Sequence, residues 1–332
     1  MTKILILDAD SLQALALSKY IKKYSNYYLV GCTEIQVKFS KFFYDETIVS
    51  IYNDLEIDNY SYVLPTGAKS TYWVFNRYHK LCYKNGIEFN KNNLIVFNKL
   101  VMLGIVQELD IPVPKTFSTK EKIEKFPIFY KEDFEQGGGK LGIAYKLSDI
   151  PSGNLLYQEY IDTPYTYGVG FLAKDGEIIT FTMHKELLSY PKDGGSAVVI
   201  ESFEDRRLFQ YVQIIVKKMN YYGWGLAEFK YCNQRKDYIF MEINAKFWAS
   251  VEFALLNNPK FLNLLLNIEY DKKNINLIVF INRLFRYDLI YFLRNFKYLF
   301  APYKIFESSL FFQIARKIIP SRAIKFIKMI KK

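Results

Sequence analysis

The sequence predicts a mixed α/β protein in which a small parallel sheet is followed by a larger region of α+β type. Two observations predict this fold class. The chain opens with a strand–helix–strand pattern, and a later strand-rich region ends in a long hairpin. Its 332 residues exceed a single small module, and a hydrophobic fraction of 50% excludes a disordered chain.

The elements of the first region alternate along the chain. An apolar run at 3–8 predicts a strand, helical spacing predicts a helix over 11–24, and 28–30 predicts the next strand. A strand at 61–65 ends at the polar loop 66–70, where parallel sheets place their ligands. From there we expect a helix through Leu81.

The second region begins near Lys99. Helical spacing predicts a helix over 99–109, which the prolines of 111–114 end. Further strands are expected at 126–131, 142–145, 155–161, 166–172 and 178–184, with a helix over 206–219. Two strands surround the polar residues 233–237.

The positive charge is concentrated at the C-terminus. Residues 271–332 hold 14 Lys and Arg against 3 Asp and Glu, a difference of +11 that equals the net charge of the chain. Basic and aromatic residues recur at near-helical spacing over 282–300, and cationic and apolar residues alternate similarly over 321–332. This pattern fits either an amphipathic segment on anionic lipid or helices packed on the body with a solvated basic face. A neutral body argues against nucleic acid as the partner.

The compartment is expected to be the cytoplasm, with a peripheral position at the inner face of the membrane as an option. Three scattered cysteines favour a reducing environment. Neither a signal peptide nor an apolar run of the roughly 18 to 20 residues that span a bilayer is evident.

The hairpin carries the sharpest chemical signal. A register symmetric about Arg235 sets Glu228 opposite Glu242, with Asn244 on the same face. Facing carboxylates repel each other, and a divalent cation removes that penalty. Two carboxylates and an amide oxygen suit Mg²⁺. The alternative is an exposed face on which Lys230 and Lys246 neutralise the two glutamates.

A glycine cluster follows the strand-end residue Lys131. Backbone N–H groups of Gly137, Gly138 and Gly139 can lie over phosphates. The spacing fits neither the P-loop nor the dinucleotide fingerprint, and a simple loop is the alternative.

Taken in order, these segments resemble the ATP-grasp superfamily, and in particular its carbamoyl-phosphate-synthase-like branch. The resemblance covers about residues 95–255 and rests on an ordered set of segments. The set comprises Lys99 before a helix, 111–116, Lys131 with its glycine loop, 158–161, 184–196, Glu228-Phe229 and 241–248. The opening looks like the small domain that precedes the ATP-grasp domain in such enzymes.

The resemblance implies a role for each matching residue. Lys99 and Lys131 would grip ATP phosphates, with Gly137, Gly138 and Gly139 closing over them. Backbone groups of Gln158, Glu159, Tyr160 and Ile161 would bind adenine. Glu228, Glu242 and Asn244 would hold Mg²⁺ or Mn²⁺. Lys246, with Lys131, would act at the transferred phosphoryl group or the substrate carboxylate. His184, Lys185 and Arg206 would contact substrate, although a satisfied strand-end histidine is the alternative for His184.

Two features depart from the pattern of these relatives. Asn244-Ala-Lys246 stands where they commonly have Asn-Pro-Arg, and lysine loses the planar fork of arginine. The segment 162–165 lacks the glycine and acidic residue that often meet the ribose, for which Asp162 could substitute.

The resemblance implies a Rossmann-like domain over 1–95, a two-lobed ATP-grasp domain over 96–270 hinged at 158–161, and a basic aromatic helical tail over 271–332. The implied activity is ATP-dependent joining of a carboxylate and an amine through an acyl phosphate, with release of ADP and phosphate. Membrane contact would fit a cell-envelope or surface-polysaccharide precursor as substrate. The alternatives are ligation of soluble metabolites, of dipeptide or carbamoyl type, and a non-catalytic nucleotide-binding adaptor on the membrane.

Overall fold

The chain folds around a parallel N-terminal sheet, a small antiparallel sheet and a large mixed sheet. The structure is a computed structural model, which describes residues 1–34, 43–50, 52–117, 119–134, 139–192 and 194–306. Within these ranges, no helix has the length and apolar character needed to cross a membrane.

The N-terminal sheet confirms the strand–helix–strand opening. Four parallel strands lie in the order β3-β2-β1-β4. Ser11 begins the first helix, because its hydroxyl accepts a hydrogen bond from the backbone N–H of Ala14 at 3.2 Å. The elements are β1 (Lys3–Leu7), α1 (Leu12–Tyr24), β2 (Tyr28–Thr33), β3 (Glu46–Val49), β4 (Tyr62–Pro65) and α2 (Ala68–Arg77).

The helix that we expected through Leu81 ends earlier. It ends at Arg77, and Tyr78 already has an extended backbone. The chain then forms the hairpin β5 (Lys80–Cys82) and β6 (Glu88–Asn90), in which Leu81 pairs with Phe89. Because both of these side chains are buried, pairing in the hairpin outweighs the local helical pattern.

The small sheet contributes one wall of a cleft. Its antiparallel strands lie in the order β7-β10-β8-β9. Side chains alternate along each strand, so Tyr157 and Ile128 join a small core on one face while Lys131 points to the other. The elements are α3 (Lys99–Gln107), β7 (Thr116–Phe117), β8 (Ile128–Glu132), β9 (Leu141–Ala144) and β10 (Leu155–Glu159).

The large sheet forms the opposite wall. Its strand order is β15-β14-β11-β12-β13-β16-β17. The strand expected at 178–184 is twice as long, because its second half pairs with β13, a strand that the sequence analysis did not predict. The elements are β11 (Thr166–Lys174), β12 (Glu177–Tyr190), β13 (Ser196–Ser202), α4 (Arg206–Lys218), β14 (Gly223–Cys232) and β15 (Asp237–Asn244).

The C-terminal segment is less helical than its spacing predicts. Apolar residues draw β16 and β17 into the large sheet, and Arg283 is buried, donating to the backbone carbonyls of Ala197 and Ala249. The elements are α5 (Val251–Asn257), α6 (Lys260–Leu266), β16 (Leu277–Phe280), α7 (Ile281–Leu284), α8 (Leu289–Arg294), a 3₁₀ helix (Phe296–Phe300) and β17 (Tyr303–Ile305). The amphipathic segment expected at 321–332 lies outside the described residues.

An aromatic stack connects the hairpin β5–β6 with the large sheet. The ring of Trp224, on β14, lies 4.1 Å from that of Phe89 and 4.3 Å from that of Phe247, centroid to centroid. All three side chains are fully buried. Phe247 follows Asn244 and Lys246, so this stack fixes the chain that leaves the candidate site.

We predict that Trp224→Ala lowers the free energy of unfolding by about 3–5 kcal/mol, because the cavity between the two phenylalanines cannot close. Chemical denaturation followed by circular dichroism measures the change. Tyr145→Ala, at a side chain that is 69% exposed, should change the stability by less than about 0.5 kcal/mol. Equal losses in the two variants would contradict the role of the stack.

Candidate active site

The two glutamates of the hairpin lie opposite each other, as the sequence predicted. β14 pairs with β15 so that Glu228 faces Glu242 and Leu226 faces Asn244. Asn244 lies two residues beyond Glu242 and therefore shares its face of the sheet. Its amide Nδ2 lies 3.0 Å from Oε2 of Glu228 and 3.3 Å from Oε1 of Glu242. The three side chains of the predicted metal site are therefore in contact.

A β-bulge at Met241 separates these side chains from the turn. The next pair after Glu228 and Glu242 is Phe229 with Phe240, so Met241 is the extra residue. The predicted symmetric register is therefore wrong on the turn side of the bulge, where partners are one residue closer. The bulge lets Glu242 point into the cleft while the ring of Phe240 packs on Phe229, 5.4 Å away, on the other face.

Two lysines from outside the hairpin converge on Glu242. Nζ of Lys131, on β8, donates a hydrogen bond to Oε2 of Glu242 at 3.0 Å and lies 3.3 Å from the carbonyl oxygen of Met241. Nζ of Lys99, the first residue of α3, lies 3.6 Å from the same carboxylate oxygen. The Lys131 side chain is only 7% exposed. A lysine this buried needs an anionic partner, which Glu242 supplies.

The two carboxyl groups have opposite electrostatic environments. Burial, together with repulsion from Glu242 and Glu186, raises the pKa of Glu228 well above its usual range. Burial acts in the same direction on Glu242, but Lys131 and Lys99 outweigh it and lower its pKa below the usual range. The surroundings therefore favour ionisation of Glu242 over ionisation of Glu228. A divalent cation would allow both groups to ionise.

The donor set fits a cation that is shared with phosphate groups. Glu228, Glu242 and Asn244 offer two carboxylates and an amide, and Lys246 lowers the pKa of both carboxyls. In the part of the chain that the structure describes, no cluster of three or more His, Cys, Asp or Glu could hold a metal. Mg²⁺ commonly takes one or two carboxylates and completes its shell with water and phosphate oxygens. These residues suit that arrangement.

A row of the large sheet extends from the glutamates to His184. Gly168, on β11, pairs with Glu228 on one side and with His184 on the other. A Cβ on Gly168 would lie 2.4 Å from the imidazole, so glycine makes room for the ring. His184 lies in the middle of β12 and is 2% exposed. Its Nε2 lies 3.8 Å from Glu186 and has no hydrogen-bond partner among the described residues. The alternative interpretation of His184 was a hydrogen-bonded histidine at the end of a strand. In the structure it lies inside β12, and its Nε2 has no hydrogen-bond partner among the described residues.

Lys185 and Arg206 are not brought to the carboxylates. Lys185 follows His184 and points to the opposite face, where its Nζ lies 3.9 Å from the ring centroid of Tyr165. Arg206 is the exposed first residue of α4. That helix packs on the face opposite Glu228, with the ring of Tyr211 lying 6.5 Å from that of Phe229.

The predicted hinge contains a buried acceptor that has no hydrogen-bond partner among the described residues. Gln158 lies near the end of β10 and is fully buried. Its side chain shares the face of Lys131, because Leu156, two residues earlier, pairs with Lys131. Nε2 of Gln158 lies 3.5 Å from the hydroxyl of Thr116, whereas its Oε1 has no hydrogen-bond partner in the described ranges. A buried acceptor of this kind suits a ligand that donates a hydrogen bond.

Glu159 fixes the end of β10 to the turn of the hairpin β14–β15. Its Oε1 accepts the backbone N–H of Lys115 at 2.7 Å and contacts the guanidinium of Arg235. Arg235 also donates to the carbonyl oxygen of Val113 at 3.3 Å. Tyr160 and Ile161 continue from β10 as irregular chain. The end of the small sheet is thereby joined to the large sheet.

One glycine of the predicted phosphate loop lies in the described residues. Gly137 and Gly138 fall outside them. Gly139 has φ = +154°, and a Cβ there would lie 2.6 Å from the carboxylate of Glu132. This position therefore requires glycine.

Sequence reasoning missed two groups of the site. The carbonyl of Met241 reaches Lys131 only because of the bulge, which depends on pairing between strands and leaves no local signal. Glu186 affects the pKa of Glu228, and its spacing of two from His184 along a strand could have identified it.

A cavity of about 670 Å³ lies between α3 and the small sheet. Leu103, Thr116 and Arg235 are among its lining residues, whereas the two glutamates and the two lysines are not. The cavity is therefore separate from the cluster of charged side chains.

Comparison of the fold places this chain among known structures. No family model and no curated protein matches the sequence. N5-carboxyaminoimidazole ribonucleotide synthetase from Thermotoga maritima is similar, with a TM-score of 0.59, 15% identity, and coverage of 82% of this chain and 78% of that one. Biotin carboxylase from Campylobacter jejuni, in a complex with β,γ-ATP, is similar with a TM-score of 0.60 and 14% identity, covering 82% of this chain and 72% of that one. An ATP-grasp superfamily protein from Archaeoglobus fulgidus is similar with a TM-score of 0.59 and 12% identity, covering 82% of this chain and 90% of that one.

The chain has the ATP-grasp fold, as the resemblance implied. Its large sheet carries the glutamate pair, and its small sheet carries Lys131 across the cleft.

We predict that Glu228→Gln stabilises the metal-free protein at neutral pH. Because the folded-state pKa of Glu228 is raised, the parental protein loses stability as the pH rises above the ordinary carboxyl pKa, and the glutamine removes that loss. Thermal unfolding measured from about pH 5 upward should show an advantage for the variant that grows as the pH rises. An advantage that is constant over this range would contradict the assignment.

We predict opposite effects for alanine at two glycines. Gly168→Ala should destabilise by about 1–3 kcal/mol, because the new Cβ displaces the buried His184. Gly104→Ala lies within α3, where a Cβ has no heavy atom within 4 Å, and should stabilise by about 0.5–1 kcal/mol. Urea denaturation of both variants measures the difference, and the same sign in both would contradict the packing around His184.

Proposed function

We propose that the protein is an ATP-dependent carboxylate–amine ligase. The observation that carries the proposal is the convergence of Glu228, Glu242 and Asn244 with Lys131 and Lys99 in the cleft of an ATP-grasp fold. Cations face carboxylates here across two separate sheets. Such an arrangement positions a polyphosphate and neutralises its charge.

In this proposal the nucleotide lies in the cleft between the small and large sheets. Lys131 and Lys99 exchange their contact with Glu242 for the phosphates, and the backbone of 158–161 binds adenine. The unpartnered Oε1 of Gln158 supports this, because adenine carries an exocyclic amine donor. Glu228, Glu242 and Asn244 would hold Mg²⁺ or Mn²⁺, which would supply charge neutralisation at the phosphates.

The reaction begins at a substrate carboxylate, which is a poor electrophile at neutral pH. An oxygen of this carboxylate attacks the γ-phosphorus of ATP, and the bond to ADP breaks, giving an acyl phosphate. The amine then attacks the acyl carbon and phosphate leaves. Lys131 and Lys246 stabilise the negative charge of the transferred group. His184 lies on the same face as Glu228, one strand further along the sheet beyond Gly168, and its Nε2 has no partner among the described residues. It is the candidate for substrate contact.

The finer parts of the proposal concern the substrate and the domains. We assign residues 1–95, 96–270 and 271–332 to a Rossmann-like, an ATP-grasp and a tail region. The basic and aromatic C-terminus supports an anionic membrane surface as a partner, and hence a lipid-linked envelope or polysaccharide precursor as one substrate. Ligation of soluble metabolites is the alternative activity.

The proposal predicts that Glu242→Gln lowers substrate-dependent ADP release by about 10²–10³-fold, because the site loses a charge that positions the lysines and the cation. Pools of carboxylates and amines are screened with MgATP in a coupled ADP assay. Glu204→Gln, at an exposed glutamate, should retain parental activity.

Two outcomes would contradict the ligase. Conversion by Glu242→Gln at the parental rate would remove the proposed role of the carboxylate. Magnesium-dependent nucleotide binding without turnover in any pool would favour the non-catalytic adaptor.

A further inference from the structure

A stripe of apolar side chains faces solvent on residues 289–300. Leu289, Leu293, Phe296 and Phe300 are 65%, 58%, 43% and 76% exposed, and Ile290 is 66% exposed. Leu289 and Leu293, four residues apart, lie on one side of α8. Phe296 and Phe300 lie on the 3₁₀ helix that follows, with ring centroids 5.5 Å apart. Large apolar side chains grouped in this way mark an interaction surface.

The opposite side of this segment is anchored to the large sheet. Phe292 belongs to a core cluster with Val198 and Val279, of β13 and β16, and Leu299 packs against it. Tyr287, just before α8, contacts the carbonyl of Ser189 on β12. The segment is thus held in place by its inner side, so its outer apolar residues are presented to solvent by a fixed framework.

Exposed basic side chains surround the stripe. Arg286, Arg294, Lys297 and Lys304 are all exposed. Asp288 is the only acidic residue in 282–306, and its carboxylate is occupied at the start of α8, where it accepts the backbone N–H of Tyr291 at 2.9 Å. We define these basic residues with the apolar stripe as the 286–304 face.

The charge of the face decides which occupant it fits. An apolar stripe among cations matches the interface of an anionic bilayer, where acyl chains lie beneath acidic headgroups. The sequence that follows continues the same chemistry, because residues 307–332 contain seven Lys or Arg and one Glu, a net charge of +6. A second copy of the chain would instead bring like charges together at the face.

We infer that the 286–304 face docks on the surface of an anionic lipid bilayer. This docking rests on the proposed function, in which an anionic membrane is a partner and a lipid-linked precursor is one substrate. The apolar side chains enter the region between headgroups and acyl chains, and the surrounding arginines and lysines contact the headgroups. Insertion of the apolar side chains and attraction of the basic side chains to the headgroups are each weak, so the attachment is reversible and depends on salt.

The test is cosedimentation of the full-length protein with phosphatidylcholine vesicles, with and without phosphatidylglycerol. The parental protein should bind the anionic vesicles and release at high salt. Leu289→Asn/Leu293→Asn/Phe300→Asn and Arg294→Glu/Lys297→Glu should each weaken binding at least about tenfold. Matched controls at exposed positions of the small-sheet region, Tyr145→Asn/Leu147→Asn and Lys122→Glu/Lys125→Glu, should bind as the parental protein does.

Three results would overturn the inference. The parental protein could fail to bind anionic vesicles, or the face variants could bind as well as the parental protein, which would assign binding to residues 307–332. A concentration-dependent dimer without lipid, lost in the triple asparagine variant, would assign the face to a second copy. ADP release measured in parallel separates this test from the ligase proposal, since the face variants should keep parental activity.

Discussion

The structure of the site depends on the repulsion between two facing carboxyl groups. Glu228 and Glu242 sit opposite each other on neighbouring strands, partly buried and close to a third acidic residue, Glu186. Protein side chains relieve this repulsion only in part, because Lys131 and Lys99 both contact Glu242. Glu228 accepts a hydrogen bond from Asn244, and its pKa stays raised although Lys246 and Lys131 oppose the shift. A divalent cation would relieve the repulsion that remains between the two carboxyl groups.

The frame around the pair keeps it in place. The bulge at Met241 turns Glu242 into the cleft and points a carbonyl at Lys131. The stack of Phe89, Trp224 and Phe247 fixes the chain beyond Asn244. The bulge and the stack involve residues that are far apart in the sequence. Together they hold the glutamates of the large sheet next to Lys131 of the small sheet. Packing elsewhere in the fold therefore offsets the unfavourable free energy of placing Glu228 next to Glu242.

Much of this arrangement could be predicted from the sequence, because it depends on local pattern. The pairing of Glu228 with Glu242 follows from alternation and turn position. The resemblance to the ATP-grasp superfamily implied that Lys99 and Lys131 bind phosphates, and both lysines lie next to Glu242 in the structure. The shift of register beyond the bulge could not be predicted, since no single strand encodes it. The strand at β13 and the burial of Arg283 were also missed, because both depend on contacts with distant parts of the chain. Arg206 was expected to contact substrate, but its helix α4 packs on the face of the sheet opposite Glu228.

The most direct test of the central claim is calorimetric titration of a non-hydrolysable ATP analogue, with and without Mg²⁺. If the glutamate pair completes a cation site together with nucleotide phosphates, binding should require Mg²⁺ in the parental protein. In Glu228→Gln that requirement should weaken. Equal affinity in the presence of Mg²⁺ and of a chelator would show that the paired carboxylates hold no cation beside the nucleotide, and would contradict the account.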